Sequence, residues 1–447
     1  MKPTSLRWLY LGIAALAISG LYSIALVILR SPGLSSLLNK DLFRTALVIH
    51  VNLSVLVWLL SSSLALWTSC LDKKYDYWVN YSNYLALIGV LLMAAAPLID
   101  DSNPVLNNYI PMLENWCFVT GLVVFGCAAL MVGLITIASF GLDSKVSGEL
   151  DRTRPSGLRP RETNTIPIAS SAIIFLMAFA CLIMSYYDIQ QIEYPLDIHF
   201  YYETLFWSGG HILQFVYTQA AMVAWVMLSA RNHYKSLTIL SIINVLLTIP
   251  SLYAHMTWRV DSPEFIEFFT LHMKYCGGIA PGLLLVTFLF YSGSTRGSHK
   301  MPEILGSSPS KTNPALLPST LLFIAGGILG SLIHGINVII PAHYHGSIVG
   351  ISIAFMGLCY VTLQINSKLS LIQPWIYAIG QLMHIGGLAW SGGYGVLRKT
   401  PAAELSISAK ISMGFMGFGG LVAIIGGLIF VWICSKKIFH KGCVNIN

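Results

Sequence analysis

Five histidines in strongly apolar stretches are the residues of this sequence best suited to metal chemistry: His50, His211, His255, His343 and His345. A histidine inside a membrane is energetically costly, which makes it a candidate functional residue, although a hydrogen bond between helices could explain any single one. Neutral imidazole is a common ligand of haem iron and of other transition metals. The five histidines therefore indicate a metal or haem site if the fold brings them to one region.

The spacing of His343 and His345 is the sharpest of these features. Residues i and i+2 of an α-helix point about 200° apart, so these two imidazoles face opposite sides of a helix. They cannot bind one metal together without distorting the helix. They could bind two different cofactors, one on each side.

The composition of the chain requires a membrane protein with many spans. Of its 447 residues, 55% are hydrophobic and only 10% are charged, whereas soluble domains average about 25% charged residues. These values exclude a disordered chain and an ordinary soluble enzyme. The formal net charge of +7 indicates basic cytoplasmic loops of a protein in a lipid bilayer, and no nucleic-acid partner is expected.

The apolar stretches are long enough to be transmembrane helices. A bilayer core requires about 20 apolar residues per helix, and every backbone amide in lipid needs an internal partner, which favours helices over strands. We therefore predict an all-α polytopic membrane protein that forms a single domain over residues 1–447. The twelve predicted spans are roughly 8–29, 44–68, 81–98, 112–140, 166–185, 204–229, 236–256, 264–292, 318–340, 342–364, 370–392 and 407–434.

Basic residues in the short connections predict the orientation of these spans. They occur at the N-terminus, in the second-to-third connection, in the segments 141–165 and 293–317, and in the tail. The opposite connections carry acidic residues, among them Asp100, Asp188 and Glu203. We predict that both termini face the cytoplasm, with the chain in the inner (plasma) membrane of a bacterium.

This topology brings the five histidines to a common depth. His50 and His211 follow the outer entries of spans two and six, roughly 10 Å into the membrane at 1.5 Å of rise per residue. His255 ends span seven on the outer side, and His343 and His345 begin span ten there. Histidines that serve only in packing would not be expected to share a layer, whereas a buried haem or metal site would require it.

These residues resemble the pattern of the catalytic subunit of haem-copper oxidases, the superfamily that also includes the nitric oxide reductases. The resemblance covers nearly the whole chain and implies a twelve-helix bundle of the subunit I type. Its sharpest motif is Ala342-His343-Tyr344-His345-Gly346, which resembles the signature of helix ten. By that match His343 would be the proximal ligand of a high-spin haem. His345 and His50 would be the two axial ligands of a low-spin haem.

The resemblance also implies a second metal and a site for the haem propionates. His211, which ends Trp207-Ser208-Gly209-Gly210-His211, and His255 match the copper-binding histidines of helices six and seven. Arg398 and Lys399 resemble the basic pair that binds the propionates. Charge-assisted hydrogen bonds to two carboxylates suit such a pair, although a solvated loop would also explain these charges.

Three departures from the family pattern concern the metal site and the proton supply. The family's oxidases usually carry two adjacent histidines on helix seven, where this chain has His255-Met256. A methionine thioether can bind Cu(I), but packing is its more common use. The redox-active tyrosine often found four residues after the helix-six histidine is Phe215. The usual lysine of helix eight is missing, while Lys274 in mid-membrane suggests a proton path.

The resemblance implies a terminal oxidase-like oxidoreductase of aerobic respiration. Electrons would pass from the low-spin haem to the high-spin haem. O2 or nitric oxide would be reduced between that iron and a copper or non-haem iron held by His211 and His255. Cytochrome c or quinol would be the electron donor, and the other subunits of an oxidase complex would be the partners.

Two other interpretations stay open. Met256 and Phe215 could mark a degenerate copper site in a haem-binding sensor, assembly or electron-transfer subunit that has no turnover. Twelve spans with intramembrane polar residues are also typical of secondary transporters. A transporter, however, leaves the common depth of the five histidines unexplained.

Overall fold

The computed structural model describes residues 1–31, 34–39, 42–99, 103–150, 165–290, 312–334, 337–393 and 407–444. These residues are almost entirely helical, which confirms the all-α prediction, and the two strands among them, Pro104–Val105 and Met112–Leu113, have two residues each. The α-helices are α1 (Pro3–Arg30), α2 (Leu42–Val51), α3 (Trp58–Ser69), α4 (Asp76–Ala95), α5 (Trp116–Leu150), α6 (Ile166–Ile189), α7 (Ile198–Leu228), α8 (Tyr234–Thr248), α9 (Pro250–Thr257), α10 (Pro263–Cys276), α11 (Ile279–Phe290), α12 (Leu316–Ser331), α13 (Ile339–Leu363), α14 (Lys368–Gly392) and α15 (Ile407–Val444).

Each of the twelve predicted spans overlaps at least one of these helices. Among the described residues, ten helical segments are long and apolar enough to cross a membrane. The ninth predicted span corresponds to α12, a shorter apolar helix of 16 residues. The eleventh corresponds to α14, which has 25 residues. The chain is thus an integral membrane protein by the length and composition of its helices.

Several predicted spans are interrupted at particular residues. Span two is α2 and α3 joined by a π-helical segment, Asn52–Val57, a local widening that is often found at functional sites. Span seven breaks before Pro250, whose backbone lacks the N–H that would continue the hydrogen-bond ladder. Span eight breaks at Gly277 and Gly278, because glycine loses the most conformational entropy in a helix.

The boundary between the ninth and tenth spans was misplaced. The predicted ninth span runs to residue 340, but α12 ends at Ser331 and α13 begins at Ile339. The Asn337 side chain accepts a hydrogen bond from the Ile339 backbone N–H (2.9 Å) and donates one to the His334 carbonyl (3.1 Å). Such a side chain favours the start of a new helix, so His334 lies in a connection and not in a span.

The chain divides into two compact units. The first comprises Met1–Leu11, Leu60–Asp101 and Asn107–Ser310, and the second Gly12–Leu59, Ser102–Leu106 and Lys311–Asn447. The interpretation of residues 1–447 as a single domain stays a prediction.

The first unit is held together by close helix crossings and buried amide bonds. A Cβ at Gly209 would lie 2.9 Å from the Ala178 carbonyl oxygen, so glycine is needed where α7 approaches α6. The buried Gln219 amide of α7 donates to the Pro167 carbonyl (3.0 Å) and to the Ser241 hydroxyl (2.7 Å). These contacts fix α7, which carries His211, against α6 and α8.

The second unit is also held together by a close helix crossing at glycine and by a buried hydrogen bond. A Cβ on Gly326 of α12 would lie 2.6 Å from the carbonyl carbon of Gly346 on α13, so the two backbones touch. The Trp58 indole N–H donates to the Ser352 hydroxyl (2.7 Å), and both residues are buried. These contacts hold α13, which carries His343 and His345, in a fixed register.

Candidate functional site

A cavity in the second unit brings three histidines together. It is lined by residues of α1, α2 and its π-helical continuation, α13, α14 and α15, and its volume is about 190 Å³. His50, His345 and His384 all line it, together with Arg30. Most other lining residues are apolar, which is typical of cofactor pockets with a few placed polar groups.

The His50 imidazole is oriented by Ser19 of α1. Its Nδ1 lies 2.9 Å from the Ser19 hydroxyl oxygen and 3.2 Å from the Ser19 carbonyl oxygen. The Ser19 hydroxyl also donates to the His50 carbonyl (3.0 Å). Because a carbonyl oxygen can only accept, Nδ1 carries the proton and Nε2 keeps its lone pair. This is the state in which histidine binds a metal.

His345 enters the same cavity from α13. Its ring stacks on Tyr344, with 5.1 Å between centroids, and meets the His384 ring edge-on at 5.0 Å. The His384 Nδ1 donates to the Met416 carbonyl (3.1 Å). A Cβ on Gly420 would lie 3.2 Å from that nitrogen, so the small residue gives the imidazole its space.

Arg30 is a cavity residue that the sequence analysis missed. It ends α1, its guanidinium lies 5.6 Å from the centroid of the Phe43 ring, and it lines the cavity. The residue stands one position past the predicted end of the first span. Its place at the predicted outer side, opposite to the connections where most basic residues lie, is the signal that could have found it. It adds a positive charge to a site suited to an anionic group.

His343 points to a different neighbour from His345, as the i, i+2 spacing predicts. Its Nδ1 donates to the Gly326 carbonyl of α12 at 2.7 Å. A Cβ on Gly330 would lie 2.6 Å from the same nitrogen, so a glycine is needed one turn further along α12. The His343 Nε2 therefore keeps its lone pair, on the side of α13 away from the cavity residues.

In the first unit, His211 is buried among aromatic rings. Only 3% of it is exposed, and its Nδ1 donates to the Trp207 carbonyl one turn earlier in α7 (2.7 Å). The rings of Trp207 and Tyr109 both lie 4.7 Å from its centroid, and that of Phe269 lies at 5.7 Å. Its Nε2 is thus also the nitrogen with a free lone pair.

His255 is hydrogen-bonded on both sides of its ring. Its Nδ1 lies 3.2 Å from an Asp188 carboxylate oxygen, and its Nε2 lies 3.1 Å from the Ser208 hydroxyl. The Ser208 hydroxyl in turn contacts that of Ser185 at 2.9 Å. The His255 side chain has no exposed surface, whereas that of Asp188 is 39% exposed. His255 and Asp188 both line a pocket of about 290 Å³.

The three departures from the family pattern have clear positions. Phe215 is fully buried and stacks on His272 with 5.2 Å between centroids. Met256 is 82% exposed, which does not suit a buried thioether ligand. Lys274 lies on the exposed face of α10, with its ammonium 5.9 Å from the Tyr275 ring centroid. It therefore does not line either cavity, and a proton path through it stays a prediction.

Two further expectations cannot be placed. Arg398 and Lys399 lie outside the described residues. Within the described part of the chain, no three His, Cys, Asp or Glu side chains are grouped so as to hold a metal ion by themselves. This does not bear on haem, since the porphyrin supplies four ligands and the protein at most two.

The family model for cytochrome c and quinol oxidase polypeptide I matches residues 4–429. The chain belongs to this family. An uncharacterized protein of Rickettsia prowazekii is 38% identical over 97% of this chain and 95% of its own length. An uncharacterized protein of Aquifex aeolicus is 26% identical over 80% of this chain and 84% of its own.

A curated oxidase is similar in sequence, and a solved structure is similar in fold. Cytochrome c oxidase subunit 1 of Thermus thermophilus is 21% identical over 79% of this chain and 68% of its own length. The cryo-EM structure of a heme-copper terminal oxidase dimer has a TM-score of 0.68 at 14% identity, covering 98% of this chain and 84% of that one. The predicted fold, a twelve-helix bundle of the haem-copper oxidase subunit I type, is confirmed.

The haems of this family fit the residues of the second unit. His50 and His345 line one cavity from two helices, and the tautomer of His50 is fixed so that Nε2 can bind iron. The Arg30 guanidinium could form a charge-assisted hydrogen bond with an anionic substituent of a haem. His343 has the same tautomer on the other face of α13. For copper the fit is incomplete, because only His211 of the two expected histidines has a nitrogen free of hydrogen bonds.

Proposed function

We propose that this chain is a haem-binding membrane oxidoreductase that reduces O2 or nitric oxide. The observation that carries the proposal is the cavity of the second unit, where His50 and His345 enter from α2 and α13. Ser19 holds the His50 imidazole with Nδ1 protonated. Such a backbone or hydroxyl partner fixes the ring orientation and raises the basicity of a ligating nitrogen.

We propose a second haem site at His343. The Gly326 carbonyl fixes the proton on Nδ1 at 2.7 Å and leaves Nε2 for iron. The two sites would then share α13, whose Tyr344 separates the two histidines. When bound, the two haems would carry electrons from a donor to the gaseous substrate. The protein would contribute axial ligation, burial and charge.

The surroundings of these sites follow from the same proposal. Arg30 would offset the charge of a carboxylate-bearing group in the cavity, and Arg398 and Lys399 would do so from the connection before α15. Cytochrome c or quinol would supply electrons, and other subunits of an oxidase complex would associate with this chain. The chain would lie in a bacterial inner membrane with both termini in the cytoplasm.

Difference spectra of the purified protein test the proposal. In a haem-replete preparation, reduced-minus-oxidised spectra should show both low-spin and high-spin features. The variant H345A should lose the low-spin signal and H343A the high-spin signal, while H199A, a control in the exposed first turn of α7, should keep both. A preparation without a Soret band, or spectra that do not change in H345A and H343A, would refute the ligand assignment.

A second candidate is a haem-binding subunit without turnover, such as a sensor, assembly or electron-transfer protein. The exposure of Met256 and the burial of Phe215 in place of the expected tyrosine favour it. Consumption of O2 and nitric oxide by the haem-replete protein, measured with an added reductant, separates the two candidates. Sustained turnover supports the oxidoreductase, and bound haem without turnover supports the second candidate.

A further inference from the structure

The His345 ring is held differently from the rings of the other two proposed haem ligands. The His50 Nδ1 contacts Ser19, and the His343 Nδ1 donates to the Gly326 carbonyl. Among the described residues, no side chain or backbone group forms a hydrogen bond with the His345 imidazole. A metal-binding histidine almost always has an outer partner that sets the orientation of its ring. The orientation of the His345 ring must therefore have another source.

Two aromatic rings contact the His345 imidazole in different geometries. Tyr344, its neighbour in α13, stacks on it with 5.1 Å between centroids and 29° between planes. His384 of α14 meets it edge-on, at 5.0 Å and 61°. Stacked and edge-on arrangements are the ones that aromatic rings prefer, and together they resist rotation of the ring between them. Of these two rings, His384 is the one that belongs to another helix.

His384 is itself fixed by α15. Its Nδ1 donates to the Met416 carbonyl at 3.1 Å. A Cβ on Gly419 would collide with the His384 backbone nitrogen, and a Cβ on Gly420 would lie 3.2 Å from Nδ1, so α15 packs directly against this residue. A histidine inside a membrane is costly, and an apolar residue would serve a site that needed only packing. The hydrogen bond to Met416, which an apolar ring could not make, keeps this imidazole in one orientation beside His345.

The geometry makes His384 a neighbour of His345 and not a second ligand of the same iron. The two axial ligands of a haem lie on opposite faces of the porphyrin, so the flat macrocycle separates them. The rings of His345 and His384 meet directly, edge to face, and leave no such gap. His50, which lines the same cavity from α2, keeps the role of the other proposed ligand.

We propose that His384 is a positioning residue that sets the plane of the His345 imidazole and, through it, the electronic structure of the low-spin haem. The inference rests on the proposed function, which supplies the haem. The plane of an axial imidazole decides which d orbitals of the iron its π electrons meet. A ring held in one plane therefore gives a ferric low-spin haem one narrow set of EPR g values, whereas a ring that can rotate gives a spread of values.

The test is the low-temperature EPR spectrum of the full-length, detergent-solubilised, haem-replete ferric protein. H384Q keeps an amide that can donate to the Met416 carbonyl but has no ring, so its largest-g line should shift and broaden. Haem should also bind to it roughly 10–100-fold more weakly. H384F keeps a ring without the hydrogen bond, and its line should lie between those of H384Q and the wild type. Q381A is the control, because Gln381 lines the same cavity about one turn earlier on α14, and its line should match the wild type.

The outcomes separate this inference from the proposed function. An H384Q line identical to that of the wild type, an H384F line that departs further than that of H384Q, or equal broadening in Q381A would overturn the positioning role. Loss of the whole low-spin signal in H384Q, with its retention in H50A, would make His384 a ligand and overturn it too. The high-spin signal checks folding, and if H384Q fails this check, equal lines in H384F and Q381A overturn the inference. Any of these results beside normal wild-type haem spectra leaves the haem proposal standing, whereas a wild type without a Soret band refutes both.

Discussion

His50, His343 and His384 each donate the Nδ1 proton to a backbone carbonyl oxygen, at 3.2, 2.7 and 3.1 Å. The carbonyl accepts and never donates, so the tautomer is fixed by the fold of the backbone and not by another side chain that could titrate. The same arrangement holds for His211 in the first unit. Each imidazole therefore has its lone pair on Nε2, the state that the haem sites proposed at His50 and His343 require.

The substitution S19A tests this arrangement at one residue. It removes the hydroxyl 2.9 Å from the His50 Nδ1 and leaves the Ser19 carbonyl as the remaining partner. We expect haem to bind roughly 10–100-fold more weakly, as for other residues that support a metal ligand, with a changed low-spin EPR signal. Haem titration and EPR of the purified variant measure both effects.

The matched control for S19A is S23A. Ser23 lines the same cavity, but its hydroxyl donates to the Gly20 carbonyl within α1 (2.7 Å) and not to a histidine. We expect S23A to bind haem as the wild type does. Equal effects in S19A and S23A would show that the cavity wall, and not the bond to His50, determines haem binding.

At the scale of helices, the position of His343 depends on the approach of α12 to α13. Its partner is the carbonyl of Gly326, and Gly326 is also where the two backbones touch: a Cβ there would lie 2.2 Å from the Ser347 amide nitrogen. The same glycine therefore permits the helix contact and supplies the acceptor. A change in the helix spacing must alter the orientation of the imidazole.

The variant G326A should show this coupling. The added methyl group has no space, so we expect α12 and α13 to separate at a cost of ~1–3 kcal/mol in the free energy of unfolding, with loss of the high-spin haem signal. G327A is the control, because a Cβ at the neighbouring Gly327 meets nothing within 4 Å. It should keep the signal and gain stability, since alanine is favoured over glycine inside a helix by roughly 0.5–1 kcal/mol. Thermal unfolding and difference spectra distinguish the two.

Asp261, in the connection between α9 and α10, should make the free energy of unfolding depend on pH. Asp261 accepts hydrogen bonds from Arg259 (3.1 Å) and Tyr194 (2.6 Å), and its hydrogen bond with Arg259 is the main reason that the pKa of Asp261 is lowered. A carboxylate with a lowered pKa stabilises the folded state above its ordinary pKa, and this contribution is lost as the pH falls through the folded-state value. The effect is small because Arg259 is largely exposed.

The variant D261N isolates this contribution. We expect it to unfold at a slightly lower temperature than the wild type near pH 7, with the difference disappearing as the pH falls below about 4, where a model aspartate is protonated. E267Q, a change at an exposed carboxylate on α10, is the control. If D261N unfolds at a temperature lower than the wild type by the same amount from neutral to acidic pH, the stabilisation does not come from the charge of Asp261.

At the scale of the whole molecule, hydropathy and histidine spacing predicted the number of spans and two of the histidines that line the cavity, His50 and His345, but not the partners of these residues. The length of one apolar stretch predicted α13, and the i, i+2 spacing predicted that His343 and His345 point in opposite directions. The Gly326 carbonyl and the Ser208 hydroxyl are tertiary contacts between distant segments, and no local pattern encodes them. Arg30 was missed for the same reason, since only the packed helices turn it into a cavity residue.

Contacts between loops of the first unit group charged residues, while the orientation of the chain in the membrane stays a prediction. Lys2 donates to the Leu71 carbonyl, and Arg7 donates to the Asn80 side chain (2.7 Å), so the N-terminus shares one end with the connection between α3 and α4. At the other chain reversals, the Asn108 backbone donates to Glu203 (3.0 Å), and Tyr194 donates to Asp261. The first contacts involve basic side chains, and the second involve the carboxylates of Glu203 and Asp261, the latter also paired with Arg259. An excess of basic residues on one side is what orients membrane proteins.

Reporter fusions test this orientation directly. A green fluorescent protein fused after the tail lysines should fluoresce, and alkaline phosphatase at the same place should be inactive, because both expected termini are cytoplasmic. Phosphatase inserted after Ile192, between α6 and α7, should be active. Neutralising the four arginines of 151–164 should weaken the bias without inverting the chain, since Lys2, Arg7 and the tail remain. Active phosphatase at the C-terminus would contradict the orientation, and the His50, His343 and His345 sites would then lie near the inner surface.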